Sequence, residues 1–388
     1  MSSQDRAFAA LLGLHGLALL VAFPFGPQAA RLWHPGINGF AALTSAFPFA
    51  VVLSGLLARR APRLPSSPRT LALIAFASTL PCALSFDYPS LVVARFIAGL
   101  ATGVSFVAIH RVLSPEAGPF VMRLAPRIVA FGMPVCLLAA TVFDWRAAFI
   151  PILAGHALIA WLSAHSSQFQ APSPPLLTEA APSALVATGA LAFVSAAYLT
   201  VLSGFLVFNA GHTELHIPVV LTLAALLGLA VPPVLKYLRS RFSPAAVFTS
   251  ALGFSASSLL ALLVLRGPQP AVLAVSVTAL FLVASSSRHL ALAGLVLPRL
   301  APGDVPPHQT HTHLAHHLGS GLGALTAGLL VSITPAHTLQ GMMTLLAASL
   351  VATGLALATG LFCARPRRLT TFTDDAQPDL VADNRLVR

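Results

Sequence analysis

The chain alternates between long apolar runs and short polar breaks, with a period far longer than that of a soluble protein. Twelve apolar segments stand out, at residues 7–26, 38–58, 69–87, 90–112, 121–142, 146–164, 184–209, 215–235, 244–265, 270–296, 310–332 and 338–362. Each is near the roughly 20 residues that a helix needs to cross the hydrocarbon core of a bilayer. Gly and Pro recur inside them, as they do in membrane helices, where neighbouring helices re-satisfy the backbone. The pattern predicts an all-α polytopic membrane protein. The longest polar, Pro-rich break is 165–183, HSSQFQAPSPPLLTEAAPS, which divides the segments six and six. The expected organisation is an N-terminal six-helix bundle (1–164), a cytoplasmic linker (165–183), a C-terminal six-helix bundle (184–364) and a disordered cytoplasmic tail (365–388).

Composition agrees. Of 388 residues, 56% are hydrophobic and 9% charged, against roughly 25% charged in soluble domains, and the net charge is +11. That excess at first points to nucleic acid, but the bases are dispersed among inter-segment loops. With both termini inside, seventeen Lys and Arg fall in inner loops and three (Arg31, Arg146, Arg266) outside, leaving Arg95 and Arg288 within helices. This is the positive-inside pattern, and it places the chain in the cytoplasmic membrane with both termini cytoplasmic. Residues 7–25 lack a small-residue cleavage site and read as a first spanning helix. Cys82, Cys136 and Cys363 lie far apart, which indicates neither a disulfide framework nor a thiolate metal site. HExxH, a serine-nucleophile motif and a carboxylate pair are all missing, so an enzyme is not expected.

Three stretches of the first half resemble the major facilitator superfamily, in that family's order. GLLARRAPR between segments 2 and 3 is similar to its cytoplasmic signature through Gly55, Arg60 and Arg63, with Arg59 where the signature has Asp and Pro62 in place of the second Gly. ARFIAGLATG in segment 4 matches an Arg-x-x-x-Gly-x-x-x-Gly pattern through Arg95, Gly99 and Gly103. FDWRAAF before segment 6 matches Trp-Arg-x-x-Phe through Trp145, Arg146 and Phe149. The resemblance implies two six-helix bundles and alternating access, and is nearest the twelve-helix efflux branch. Segment 5 carries Gly132 and Pro134 but not the Gly-Pro and paired glycines of that superfamily's antiporters.

The chemistry inside the membrane rests on very few groups. No Asp or Glu falls inside a segment, Asp87 and Asp144 sitting at outer edges, so histidine is the candidate proton carrier, its ordinary pKa lying near 6.5. His15 and His289 are the candidate proton or substrate ligands, with Arg288 as an anion partner and Arg95 as a cavity cation. Adjacent residues on a helix point about 100° apart, so Arg288 and His289 cannot both face a cavity squarely. Segment 7 offers Ser195, Tyr198, Thr200, Ser203 and Asn209 for hydrogen bonding. Gly99 and Gly103, four apart, suit close helix packing. The tract HQTHTHLAHH holds His308, His311, His313, His316 and His317, and HTELH holds His212 and His216. The expected activity is proton-coupled efflux of a small organic molecule by a monomer without cofactor or nucleic-acid partner. The alternative is a transition-metal transporter using His313, His317, His212 and His216.

Overall fold

The computed structural model describes residues 2–22, 36–113, 117–164, 182–204, 216–264, 271–296 and 305–333. These form helices α1 (Ser3–Leu20), α2 (Gly36–Arg60), α3 (Pro68–Leu84), α4 (Tyr88–Val112), α5 (Gly118–Val142), a 3-10 turn at Trp145–Phe149, then α6 (Ile150–Leu162) and α7 (Pro182–Gly204). They continue as α8 (His216–Gly228), α9 (Val231–Arg241), α10 (Pro244–Val264), α11 (Ala271–Val296) and α12 (Val305–Ile333). Eleven of the twelve expected segments are thus helical. The twelfth, the linker and the tail lie outside the described residues.

Three boundaries differ from the hydropathy reading, and proline accounts for two of them. The eighth segment is broken into α8 and α9 at residues 229–230. Pro232 cannot donate to the ladder, and its ring crowds the carbonyl four residues earlier, so the helix restarts with Pro232 and Pro233 in its first turn. The eleventh segment begins at Val305, since Pro306 and Pro307 occupy the first turn, where no intrahelical N–H is needed. That start carries the whole histidine tract into the helix. The first helix ends at Leu20, and its start is fixed by a capping box between Ser2 and Asp5. Asp87 and Ser90 build the same box at the start of α4.

Large apolar side chains face outward around the molecule, among them Leu57, Leu84, Phe86, Phe131, Leu138, Phe143, Trp161 and Val272. Water would not tolerate such a belt, whereas lipid does. Inside the belt, α2 packs on α4 through Gly99 and Gly103, where an added Cβ would strike the Phe47 and Val51 carbonyls. Helix α12 packs on α7 in the same way, through Gly319 and Gly323 against the Gly189 and Phe193 carbonyls. Helices α1–α6 pack largely on one another, as α7 and α10–α12 do. The two groups meet where α12 touches α2 and α4 and where α5 touches α8.

Candidate functional site

Between the two groups of helices lies a cavity of about 530 Å³, bounded by residues of α1, α4, α5, α7, α8, α9, α11 and α12. It begins among Leu113, Val121, Ala184, Val296 and His308, at the end of the molecule that carries the Arg59–Arg63 loop, and reaches inward to Gly16, His289 and His317. Most of its wall is apolar. Its titratable side chains are six histidines: His110 on α4, His289 on α11, and His308, His313, His316 and His317 on α12. Thr188, Ser286, Gln309 and Thr312 add neutral hydrogen-bonding groups, and among the described residues the lining contains no carboxylate, lysine or arginine.

The tract, which straddles the start of the eleventh segment as hydropathy draws it, lies wholly within α12. Nine residues separate His308 from His317, about 13 Å of helix rise, so it runs along the cavity wall. Its rings meet histidines of other helices. Phe106 stacks on His313 with ring centroids 4.9 Å apart, and lies 5.4 Å from His317, 5.6 Å from His15 and 6.4 Å from His110. His110 and His313 are 5.1 Å apart, as are His289 and His316. His15 is also 5.9 Å from His156 of α6. Six imidazoles from α1, α4, α6 and α12 thus form a chain that passes Phe106. The His110 Nδ1 lies 2.7 Å from the Phe106 carbonyl, an acceptor only, so that nitrogen carries the proton and Nε2 is free to accept one.

The sequence candidates are sorted by this geometry. His289 lines the cavity and Arg288 turns away from it, the division that the 100° between neighbours requires. Arg288 is fully buried among α7, α10 and α11, donating to Ser255 Oγ, the Leu191 carbonyl (3.0 Å) and Ser195 Oγ (2.8 Å). Arg95 is equally buried and ties α4 to the end of α1 through the Ala18 and Leu19 carbonyls, with its guanidinium over the Phe47 ring. Neither arginine borders the cavity in this conformation. Tyr198 is buried as well; its hydroxyl donates to Thr278 Oγ1 at 3.0 Å and its ring meets Phe281 edge-on. Ser195, expected at a cavity, instead serves Arg288.

The motif residues have structural partners. Gly55 faces Leu314 of α12, across the junction of the two halves. Arg60 and Arg63 are exposed. Trp145 is buried, while Arg146 pairs with Asp144 and donates from Nε to the Ser85 carbonyl at 2.7 Å, joining the ends of α3 and α6. Sequence reasoning passed over His110 and His156, whose signal was a histidine inside an apolar helix. It also passed over Arg111, which holds the Ala58, Arg59 and Ala61 carbonyls at the end of α2. Among the described residues no group of three or more His, Cys, Asp or Glu side chains is arranged to hold a metal ion. His212 and the side chain of His216 lie outside the described residues.

No protein-family model matches the sequence, and no curated protein matches it. Its fold, however, matches solved transporters over nearly their whole length. A bacterial homologue of the human lysosomal transporter Spinster, inward-facing and occupied, aligns with a TM-score of 0.67 at 13% identity, covering 94% of this chain and 98% of that one. A bacterial homologue of the iron transporter ferroportin, outward-facing, aligns at 0.63 and 15% identity, covering 94% and 100%. The E. coli fucose:proton symporter FucP aligns at 0.61 and 16% identity, covering 93% and 98%; in its outward conformation FucP is described as a Major Facilitator Superfamily transporter. The helix order, the placing of the basic-loop glycine against α12 and these alignments agree: this chain has the major facilitator superfamily fold.

Proposed function

We propose that the chain is a secondary active transporter of the cytoplasmic membrane that carries a small organic molecule by alternating access. The observation that supports this most is the histidine-lined cavity between the two groups of helices, which extends to residues at the basic-loop end. A midplane site between two rocking bundles is how such folds move cargo. The bundles on this reading are residues 1–164 and 184–364, joined by the cytoplasmic linker 165–183, and the working unit is a monomer.

We further propose proton coupling through the histidines, with His15, His110 and His313 at the centre of the chain and His289 joined to it through His316. A coupling ion must bind the two conformations with different affinity, and imidazoles are the titratable side chains that border this cavity. Proton coupling has a precedent on this fold in the fucose:proton symporter. Efflux is the proposed direction, on the resemblance of the first-half motifs to the efflux branch. The alternative, transition-metal transport, has no three-ligand cluster behind it among the described residues, which include His313 and His317 but not His212 or the side chain of His216.

Alternating access is testable without knowing the cargo. Cys82, Cys136 and Cys363 are replaced by Ser, and Arg63→Cys and Ser243→Cys, both exposed at the basic-loop end, are spin-labelled in nanodiscs. Two distance populations are expected, with the shorter one representing a closed basic-loop end. Their ratio should move between about pH 5.5 and 8, the range in which histidine titrates. A single, pH-independent distance would refute the reading.

A further inference from the structure

We propose that the cavity binds an organic anion, a carboxylate on an apolar body, with the histidines of α4, α11 and α12 as its cationic counterpart. This rests on the reading of the cavity as the transport site and names the class of cargo it takes.

Among the described residues the titratable lining of the cavity consists of histidines, so the charge they can supply is neutral or positive and never negative. Every acidic residue among those described stands at a helix end and is already engaged: Asp5 with Ser2, Asp87 with Ser90, and Asp144 with Arg146. A proton taken up by His110, His289 or His313 therefore meets no carboxylate of the described spans. A charge in a poorly solvated cavity is costly unless it is paired. The cargo is the remaining source of the countercharge. A cation would find no partner here, and a neutral molecule would leave an imidazolium unmatched.

The surroundings of the cluster point the same way on every side. Helix α1 presents His15, α6 presents His156 behind it, and α4 presents His110, whose neighbour Arg111 is turned to the α2 carbonyls. Helix α11 presents His289, with Arg288 next to it in sequence but bound to hydroxyls and a carbonyl inside the bundle. Helix α2 brings Phe47 against His317, and the Arg95 guanidinium lies over the same ring. The lining that α5, α7, α8 and α9 contribute contains no charged side chain; Arg127 and Lys236 on two of these helices are exposed away from it. Among the described residues, the permanent charge near the cluster is positive.

Two further observations point to a ligand. Buried polar atoms of the lining lack a partner in the protein, namely His289 Nε2, His308 Nδ1, His317 Nδ1 and Thr312 Oγ1. These are donors or acceptors kept for something other than the fold. The rest of the wall is largely apolar, with Leu12, Val129, Leu290 and Leu292, and Phe106 stacks on His313. A volume of about 530 Å³ accommodates an organic acid of modest size.

Matched probes test this. The full-length protein in nanodiscs is titrated by calorimetry with benzoate, benzamide and benzylamine, which share a body and differ in charge, and with octanoate as an aliphatic anion. At about pH 6 an anion should bind at least roughly tenfold more tightly than the amide or the amine. Its affinity should fall by up to about tenfold per pH unit toward pH 8, because carboxylates stay ionised over that range while histidines lose their protons. His313→Gln should remove most of the preference. Ser286→Asp, which adds a carboxylate to the lining without touching a histidine, should shift the preference toward benzylamine. Failure of both anions to bind, equal binding of the amide, or pH-independent binding would each overturn the inference. If the spin-labelled pair still interconverts in that case, the transporter reading stands and only the cargo class falls. If an anion binds but the pair does not interconvert, transport is what fails.

Discussion

The close contact between α2 and α4 yields a quantitative expectation with a built-in control. A Cβ added at Gly103 would meet the Val51 carbonyl and Ser54 Oγ and come within 2.9 Å of the Gly55 nitrogen. At Gly99 the Phe47 carbonyl and, at 2.8 Å, the Ala50 Cβ stand in the way. Carbonyls cannot rotate aside as side chains do, and carbon–oxygen contacts settle near 3.3–3.6 Å, so α2 and α4 must part by roughly 0.5–1 Å. A gap of that size forfeits about a quarter to a half of each contact's dispersion energy. Overpacking of this kind costs about 1–3 kcal/mol, while alanine gains about 1 kcal/mol over glycine as a helix former. Gly103→Ala is therefore expected to destabilise by up to about 2 kcal/mol. Gly253→Ala on α10 meets nothing within 4 Å and should be neutral or stabilising by up to about 1 kcal/mol. The assay is reversible chemical unfolding in mixed micelles, followed by tryptophan fluorescence. If Gly103→Ala is as stable as Gly253→Ala, the packing argument is wrong.

Arg111→Ala should leave the last carbonyls of α2 without their donor, destabilising by about 1–2 kcal/mol and speeding trypsin cleavage at the Arg59–Arg63 loop; an unchanged cleavage rate would contradict the contact. The Arg146–Asp144 pair is half exposed, so Asp144→Asn should cost less than about 1 kcal/mol. Arg146→Ala, which also loses the Ser85 carbonyl and the Trp145 face, should cost more than Asp144→Asn in the same unfolding assay. Hydrogen bonding by Ser90, through its side chain first and its backbone second, holds the Asp87 carboxyl below its ordinary value of 3.8. A depressed folded-state value gives stability that is present above the unfolded value and lost as pH falls through the folded one. Asp87→Asn, which keeps the cap without a titrating group, should flatten that part of the acid unfolding profile.

Eleven helices were legible because the bilayer sets their length and their apolar character, and both can be read locally. The small-residue spacing at Gly99 and Gly103 was legible for the same reason. The identical spacing at Gly319 and Gly323 was there to be read but was masked by the more conspicuous histidines before it. The start of α12 was misplaced because a polar tract ahead of an apolar run looks like a loop. Only the cavity, which no single segment reveals, makes His308 to His317 an acceptable helix face. His289 emerged from its 100° separation from Arg288, although the sequence could not say which of the two would turn inward. His110 and His156 had no local signal beyond their presence in apolar helices. Their significance arises from contacts with residues about two hundred and about one hundred and forty positions away in the chain.

The two buried arginines now call for a reason other than cargo binding, and Arg288 supplies one that can be checked. Its guanidinium reaches Ser255 on α10, Leu191 and Ser195 on α7, and Ser285 on its own helix, through both terminal nitrogens. Hydroxyl and carbonyl oxygens thus solvate the charge, in place of an acid that would neutralise it. A lysine carries the same charge but places all its donors on one atom, so it cannot span partners on two neighbouring helices. Each hydrogen bond from a charged group contributes about 1.5–3 kcal/mol. Arg288→Lys should therefore give up one to two of these and lose about 2–4 kcal/mol of stability, although the charge is kept. Were the arginine there only for its charge, lysine would serve and the loss would be small. A stable Arg288→Lys protein that has lost anion binding would instead return Arg288 to the cavity and reverse its assignment to the scaffold.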